Sequence, residues 1–221
     1  MQPIALYDLD RTVTRAPTFT PFLVHMAASG NPLRLLGVPL WVLAMLGYKA
    51  KLYGRKPLKQ FGLRLLVGRE VRNARLQPRI DAFVARQLAR NIQPGARAQI
   101  AADRAGGARL VLITAAPEIY AEAMAQALGF DACIATRHQR GADGDLLNTI
   151  DGANNYGPEK IARVEAWLAT QGLARADCHL TAYTDHASDA PILNSADAGV
   201  LVGRYAKPQS GWSQADWSAA A

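Results

Sequence analysis

The stretch Ile4–Thr14, IALYDLDRTVT, places two aspartates directly after a short apolar run. A short apolar run that ends in a turn is typical of a buried strand, and here the turn begins with Asp8 and Asp10. Two carboxylates this close together repel each other unless a cation lies among them. The stretch therefore predicts a buried strand whose end forms half of a cation site.

A second apolar strand, RLVLIT at 109–114, follows only after nearly a hundred residues, and from there strands and helices alternate. Further strands are predicted at 132–136, 179–184 and 198–202. Strands that alternate with helices form a parallel sheet covered on both faces, so the fold class is α/β. In such sheets ligands bind outside the carboxyl ends of the strands.

The long segment between the first two strands is predicted to be a helical insertion. Thr20-Pro21 and Asn31-Pro32 are good helix starts and Gly30 is a good helix end, while 57–67 and 78–91 are two more candidate helices. We therefore divide the chain into a core of residues 1–14 and 93–221 and a helical cap of residues 15–92.

Composition indicates a chain with one sizeable core and an uneven charge. The 221 residues are half hydrophobic, and the net charge is +7. Residues 31–75 hold ten basic side chains and a single acid, Glu70. Such a block fits a solvated helix face or an anionic partner such as nucleic acid, acidic lipid or a charged substrate. No recognised nucleic-acid-binding motif accompanies it, so no nucleic-acid partner is expected.

The termini and cysteines indicate a reducing compartment. The start MQPIALYD lacks the basic and apolar regions of a signal peptide, which predicts a cytoplasmic protein. Cys133 and Cys178 are too few for a disulfide framework and are expected to be buried, reduced thiols.

Reactive side chains gather where the predicted strands end. Asp8 and Asp10 follow the first strand, Thr114 ends the second, Asp185 and Asp189 follow the strand at 179–184, and Lys160 lies near a helix start. Oxygen ligands without histidine or thiolate suit Mg²⁺, which completes its shell with water and phosphate oxygens. A metal and a lysine beside carboxylates fit phosphoryl transfer, in which an anionic nucleophile meets an anionic substrate.

With these residues in order, the sequence resembles the haloacid dehalogenase (HAD) superfamily, in subclass IB, which contains phosphoserine phosphatase. DLDRT matches the first motif, Thr114 in LITAAP the second, Lys160 in YGPEK the third, and YTDHASD the fourth. The match spans residues 4–202. The resemblance implies a Rossmann-like parallel-sheet core with the helical cap inserted after the first strand.

The resemblance also implies a role for each matched residue. Asp8 would be the nucleophile that forms an aspartyl-phosphate, and Asp10 the general acid and then base. Mg²⁺ would be held by Asp8, Asp185 and the backbone carbonyl of Asp10. Thr114 and Lys160 would bind the phosphoryl oxygens, and Asp189 would orient Lys160 or a metal-bound water. Thr12 would either fix the turn geometry or act as a capping hydroxyl.

Two positions refine the resemblance. Dehalogenases and transport ATPases of the superfamily lack the second aspartate, so Asp10 favours a phosphatase or phosphomutase. Family members usually carry glycine where this chain has Arg11. Arginine costs conformational freedom there unless φ is negative, and we expect it to place a positive group near the phosphate.

The cap sequence bears on the substrate. Phosphoserine phosphatases place an acid shortly after the first motif to bind the substrate ammonium, but here the first acid after Asp10 is Glu70, which argues against phosphoserine. The run 35–48 holds fourteen uncharged residues followed by a basic cluster. It is too short to span a bilayer and suits either an anionic membrane surface or a buried cap helix with Trp41, Leu43 and Leu46 inside.

Together these features predict a Mg²⁺-dependent phosphomonoester hydrolase. The cap is similar to that of bacterial phosphatidylglycerophosphate phosphatases, which implies a lipid-headgroup substrate and peripheral contact with the inner face of the membrane. The alternatives are a soluble phosphatase, for example of phosphoserine, and a receiver-like phospho-acceptor module, since receivers also gather aspartates and a lysine at strand ends.

Overall fold

A six-stranded parallel sheet forms the centre of the computed structural model, which describes residues 1–186, 189–203 and 211–218. The described strands are β1 (Gln2–Tyr7), β2 (Glu70–Arg72), β3 (Arg109–Pro117), β4 (Ala132–Thr136), β5 (His138–Arg140), β6 (Leu146–Ile150), β7 (Cys178–Thr184), β8 (Ala198–Val202) and β9 (Trp212–Ala215). The order in the large sheet is β4-β3-β1-β7-β8-β9, and every neighbouring pair runs parallel. The predicted α/β class is confirmed.

Strand β1 lies in the middle of this sheet. Ile4 is in register with Arg109 of β3 on one side and with Leu180 of β7 on the other. Residues 4–7 are buried on both faces, because helices cover the sheet from both sides. A strand with two covered faces has no polar alternation, which is why it forms a continuous apolar run in the sequence.

Eight α-helices belong to the described part of the chain. They are α1 (Phe19–Gly30), α2 (Val38–Lys49), α3 (Arg55–Leu66), α4 (Gln77–Arg90), α5 (Pro94–Ala105), α6 (Glu118–Ala127), α7 (Pro158–Thr170) and α8 (Ala190–Ser195). Helices α5 and α6 share a core with one face of the sheet, and α7 and α8 share a core with the other face. Cys133 and Cys178 are free thiols.

The helices predicted in the insertion are present, and the helix predicted to begin at Asn31-Pro32 is interrupted. Helix α1 spans Thr20-Pro21 and ends at Gly30, and the Asn31 side chain accepts a hydrogen bond from the Leu33 N–H. A short 3₁₀ turn, Pro32–Gly37, then precedes α2. Pro39 lies in the first turn of α2, where its missing N–H costs nothing. The helix is therefore interrupted before the proline, at the 3₁₀ turn.

Helix α2 exposes all three of its leucines. Only Trp41 is fully buried in it, whereas Leu43 and Leu46 are 63% and 56% exposed. The alternative of a buried cap helix is therefore wrong for both leucines and holds for Trp41. Among the helices of the described residues, none combines the length and the apolar character needed to cross a bilayer.

A small antiparallel sheet was not predicted. Strand β2, which comes from the predicted cap, pairs with β6, and β6 pairs with β5. Strands of three to five residues carry too few positions for a recognisable alternation. Thr14 and Ile92 also form an antiparallel bridge where the chain leaves and re-enters the core. The division into core and cap at these positions stays a prediction.

Candidate active site

Three neighbouring strands bring the predicted residues to one edge of the sheet. The Asp8 N–H still donates to the Tyr183 carbonyl at 3.0 Å, so Asp8 is the last position of the β1 ladder. Thr114 lies in β3, and Asp185 follows β7 directly. These side chains line one cavity of about 310 Å³ together with residues from the cap and from the loop before α7. The lining residues are Asp8, Asp10, Arg11, Pro17, Arg55, Thr114, Ala115, Tyr156, Lys160, Asp185, His186 and Asp189.

Lys160 joins two of the carboxylates from the first turn of α7. Its Nζ donates to Asp8 Oδ1 at 2.8 Å and to Asp189 Oδ2 at 2.6 Å, with the lysine almost fully buried. Burial by itself would lower the pKa of Lys160, but the attraction of the two carboxylates raises it, so the ammonium stays charged. Gly157, with φ of 60°, turns the chain into α7 and so brings Lys160 to the cavity.

Asp10 is held apart from this ion pair. Its Oδ1 accepts from the Thr18 N–H at 2.8 Å and from the Thr18 hydroxyl at 2.7 Å, and that hydroxyl also contacts the Tyr120 hydroxyl at 2.9 Å. Burial raises the pKa of Asp10, although both Thr18 hydrogen bonds oppose the rise. A carboxyl group that retains its proton more readily is suited to general-acid chemistry. The sequence has no signal that singles out Thr18.

Thr114 keeps its hydroxyl hydrogen available for a ligand. Its Oγ1 accepts from the Ala116 N–H at 3.0 Å, and the Asn155 side chain holds the Thr114 carbonyl at 3.1 Å. A hydroxyl that already accepts a hydrogen bond can still donate its own hydrogen to a phosphoryl oxygen. Strand β3 continues three residues beyond Thr114, but its register against β4 shifts after Ile113, so Thr114 still borders the cavity.

Thr14, rather than Thr12, stabilises the turn after β1. The Thr14 hydroxyl donates to the Leu9 carbonyl at 3.0 Å and accepts from the Arg11 N–H at 3.2 Å. The Thr12 hydroxyl is buried and has no hydrogen-bond partner among the described residues. Thr14, two positions further on, makes the hydrogen bonds of the turn, and the role of Thr12 stays a prediction.

Arg11 has a backbone conformation that favours glycine. Its φ is 65° and its ψ is −2°, in the left-handed region, and its side chain lines the cavity. Arginine would cost no stability here only if φ were negative, and φ is positive. A non-glycine residue in this region costs about 1 kcal/mol, so the guanidinium is retained at a cost to stability.

Replacing Arg11 with glycine should leave stability within about 1 kcal/mol, because relief of the strain is offset by the greater freedom of glycine in the unfolded chain. Hydrolysis should slow nonetheless, because the cavity loses a positive group. Chemical denaturation and kcat/KM would be measured together, with Arg11→Lys as the variant that keeps the charge. Unchanged kinetics of Arg11→Gly on every substrate would rule out a role in substrate binding.

The donor set fits Mg²⁺. Asp189 Oδ1 is buried and has no hydrogen-bond partner among the described residues, as expected of an oxygen beside a cation or a metal-bound water. Burial raises the pKa of Asp8 to about 7, because the loss of hydration outweighs the attraction of Lys160, and Asp189 adds a smaller rise. No group of three His, Cys, Asp or Glu side chains in the described chain forms a metal cage. Mg²⁺ does not require such a cage, because it completes its shell with water and phosphate oxygens. Two carboxylates, from Asp8 and Asp185, and the Asp10 carbonyl are therefore a sufficient set of protein ligands.

Two basic cap residues reach the core near the cavity and were not singled out from the sequence. Arg55 lines the cavity from the first turn of α3, and Lys59 Nζ donates to the Ala115 carbonyl at 2.5 Å. In the sequence they are part of a basic block, and nothing in that block separates residues that face the core from those that face solvent.

Comparison with known proteins agrees with this geometry. The sequence profile of the haloacid dehalogenase-like hydrolase family matches residues 5–194. Protein CicA of Caulobacter vibrioides is 31% identical over 196 residues, which cover 88% of this chain and 83% of CicA. A protein of unknown function from Bordetella pertussis Tohama I has the same fold, with a TM-score of 0.83 at 23% identity over 98% of this chain and 99% of that one. A phospho-aspartyl intermediate analogue of phosphoserine phosphatase shares the fold with a TM-score of 0.62, at 16% identity over 91% and 86% of the two chains.

Proposed function

The chain belongs to the haloacid dehalogenase-like hydrolase family, and from this premise we propose that it is a Mg²⁺-dependent phosphatase that cleaves phosphomonoesters through a phosphoaspartate on Asp8. The observation that carries the proposal is the arrangement at the end of β1. Asp8 is paired with Lys160, while Asp10 is partly buried and held separately by Thr18. One carboxylate is thus set up to attack and the other to move a proton.

In the first step an Asp8 carboxylate oxygen forms a bond to phosphorus, and the bond between phosphorus and the alcohol oxygen breaks. Asp10 gives its proton to the departing alkoxide oxygen, so the alcohol leaves neutral. Lys160 and the Thr114 hydroxyl hold the phosphoryl oxygens while negative charge shifts toward the leaving group.

In the second step Asp10, now ionised, takes a proton from water as that water attacks the phosphorus of the phosphoaspartate. The bond between Asp8 and phosphorus breaks, which releases free phosphate and regenerates the Asp8 carboxylate. When bound, Mg²⁺ would neutralise phosphoryl charge and allow the anionic Asp8 to approach it. Asp8, Asp185 and the Asp10 carbonyl would hold it.

We further propose that the substrate is a lipid-headgroup phosphate such as phosphatidylglycerophosphate. We define the apolar patch as six exposed leucines around α2. They are Leu33, Leu36, Leu40, Leu43, Leu46 and Leu52, each about half or more exposed. Leu40, Leu43 and Leu46 are three residues apart and share one face of α2, and an exposed apolar face suggests an interaction site. Lys49 and Lys51 lie between Leu46 and Leu52 of the patch and are exposed, which suits an anionic bilayer surface.

The helix that carries three leucines of the apolar patch also contacts a residue of the cavity. The hydroxyl of Tyr48, near the end of α2, accepts a hydrogen bond from Arg55 Nε at 2.8 Å, and Arg55 lines the cavity. A bilayer bound by the apolar patch would therefore lie against the same helix that contacts the cavity residue Arg55. This continuity favours a lipid substrate over a soluble phosphomonoester such as phosphoserine.

The decisive test is phosphate release from a panel of soluble and vesicle-embedded phosphomonoesters with and without Mg²⁺. We expect release that depends on Mg²⁺ and is fastest with phosphatidylglycerophosphate in vesicles. Faster release from phosphoserine would favour the soluble alternative. A phosphoaspartate that persists for minutes without releasing phosphate would favour a receiver-like module.

Vesicle binding tests the apolar patch independently of catalysis. The protein should sediment with vesicles that contain anionic lipid, and the double variant Leu36→Glu/Leu43→Glu should bind roughly tenfold more weakly, because two charged side chains replace apolar ones that would be buried in lipid. The control is Ala101→Glu/Ala102→Glu, which adds the same charge at exposed positions of α5. Failure of the unaltered protein to bind at low salt would refute membrane contact.

A further inference from the structure

Arg55 is held rigidly at the boundary between the cap helices and the sheet. Its Nε donates to the Tyr48 hydroxyl at 2.8 Å, and its guanidinium carbon lies 3.5 Å from the centroid of the Tyr156 ring. Tyr48 belongs to α2, whereas Tyr156 belongs to the loop before α7, so Arg55 lies between the two parts of the molecule. A stacked and hydrogen-bonded guanidinium loses little further freedom when it binds a ligand.

Lys59, one turn further along α3, is a weaker candidate for anion binding. Its Nζ donates to the Ala115 carbonyl at 2.5 Å and to Asn154 Oδ1 at 2.7 Å, so two of its three donors serve the core. Burial lowers the pKa of Lys59 to about 7. Arg55 is the permanent cation of the pair, since a guanidinium does not deprotonate in proteins.

Arg55 has no carboxylate partner in the described part of the chain. Within the described residues Arg55 makes no ion pair, and its terminal guanidinium nitrogens make no hydrogen bond. The segment 11–69, which includes α1 to α3, contains no Asp or Glu. This segment therefore offers no countercharge to a ligand ammonium, whereas Arg55 offers a ligand anion a planar fork of donors.

The residues assigned to the scissile phosphate come from the core, whereas Arg55 comes from a helix of the cap. Lys160 and Thr114 lie on the core elements α7 and β3, while Arg55 enters from α3. A substrate whose phosphoryl group lies on the core therefore extends its alcohol part toward the cap.

We propose that Arg55 forms a second anion subsite, which binds a carboxylate or phosphodiester on the alcohol part of the substrate. The proposal rests on the proposed phosphatase function and adds to it a substrate class, phosphomonoesters with a second negative charge. The subsite does not depend on the apolar patch, so soluble compounds can test it.

The test is calorimetric binding with Mg²⁺ in the Asp8→Asn background, which prevents turnover. The three ligands are glycerol 3-phosphate, 3-phosphoglycerate and deacylated phosphatidylglycerophosphate, which carry no further anion, a carboxylate and a phosphodiester, respectively. At least one of the doubly anionic ligands should bind tenfold or more tightly than glycerol 3-phosphate. The ratio of the two affinities should fall to threefold or less when Arg55→Gln is added. The doubly anionic ligand that binds more tightly identifies the anion that the subsite accepts.

Matched variants keep the test specific. Lys56→Gln removes a neighbouring positive charge on α3 whose Nζ contacts the Gly152 carbonyl, and it should leave the ratio unchanged. Arg55→Lys keeps the charge without the planar fork and should give an intermediate ratio. Thermal melting would confirm that each variant folds.

Two results would overturn the subsite. One is equal affinity for all three ligands before Arg55 is altered, and the other is an Arg55→Gln variant that weakens all three equally, which would assign Arg55 to the scissile phosphate. Failure of the phosphatase proposal gives a different pattern, in which the unaltered protein releases no phosphate from any substrate although the binding preference persists.

Discussion

Replacing Asp8 with asparagine is expected to lower phosphate release from every substrate by roughly 10⁴-fold or more, because the amide cannot act as the nucleophile. The fold should survive, since Lys160 keeps its contact with Asp189 at 2.6 Å. Release of inorganic phosphate under saturating substrate measures the loss. Trapping the phosphoenzyme by acid quench should detect it in the unaltered protein and not in the variant.

A surface substitution of the same type is the control for Asp8→Asn. Asp143 is exposed in the turn between β5 and β6, and Asp143→Asn should keep full activity. Activity of Asp8→Asn close to that of this control would show that phosphate transfer does not pass through Asp8.

Replacing Asp10 with asparagine is expected to slow hydrolysis of alkyl phosphates by roughly 10²- to 10⁴-fold, the usual contribution of general acid and base catalysis. The asparagine cannot protonate the leaving alkoxide, nor can it take a proton from the attacking water. A good leaving group such as p-nitrophenolate needs no proton, so with p-nitrophenyl phosphate the first step should be affected far less than the second. The phosphoenzyme should then accumulate, and acid quench with labelled substrate would measure it.

The leaving group is the internal control for Asp10→Asn. Equal slowing with alkyl and p-nitrophenyl phosphates, without accumulation of phosphoenzyme, would contradict a proton-transfer role. In that case Asp10 would serve only to shape the turn after β1.

The residues at the strand ends were predictable because, in a parallel sheet, the order of strands and helices in the sequence shows which edge of the sheet each strand end reaches. Apolar runs identify the strands, and adjacent parallel strands bring their carboxyl ends to one edge. Asp8 and Thr114 therefore meet at one cavity although they are far apart in the chain. Lys160 was predictable from its motif, and its contacts with Asp8 and Asp189 agree with the expected arrangement.

The residues that support this site were not predictable. Thr18 holds Asp10, and Thr14 rather than Thr12 holds the turn, because hydroxyl partners depend on side-chain distances that the chain reaches only when packed. The pairing of β2 with β6 links residues more than seventy positions apart through strands too short to carry a pattern.

The sequence by itself determined the α/β class, the strand ends and the chemistry gathered there, because these follow from periodicity and from residue types with few alternative uses. Only the tertiary structure decided three further features: that α2 exposes its leucines, that Arg11 takes a left-handed conformation, and that Arg55 reaches the cavity from the cap. Periodicity cannot distinguish an apolar helix face that meets a partner from one that meets solvent. That difference arises only when the elements pack against one another.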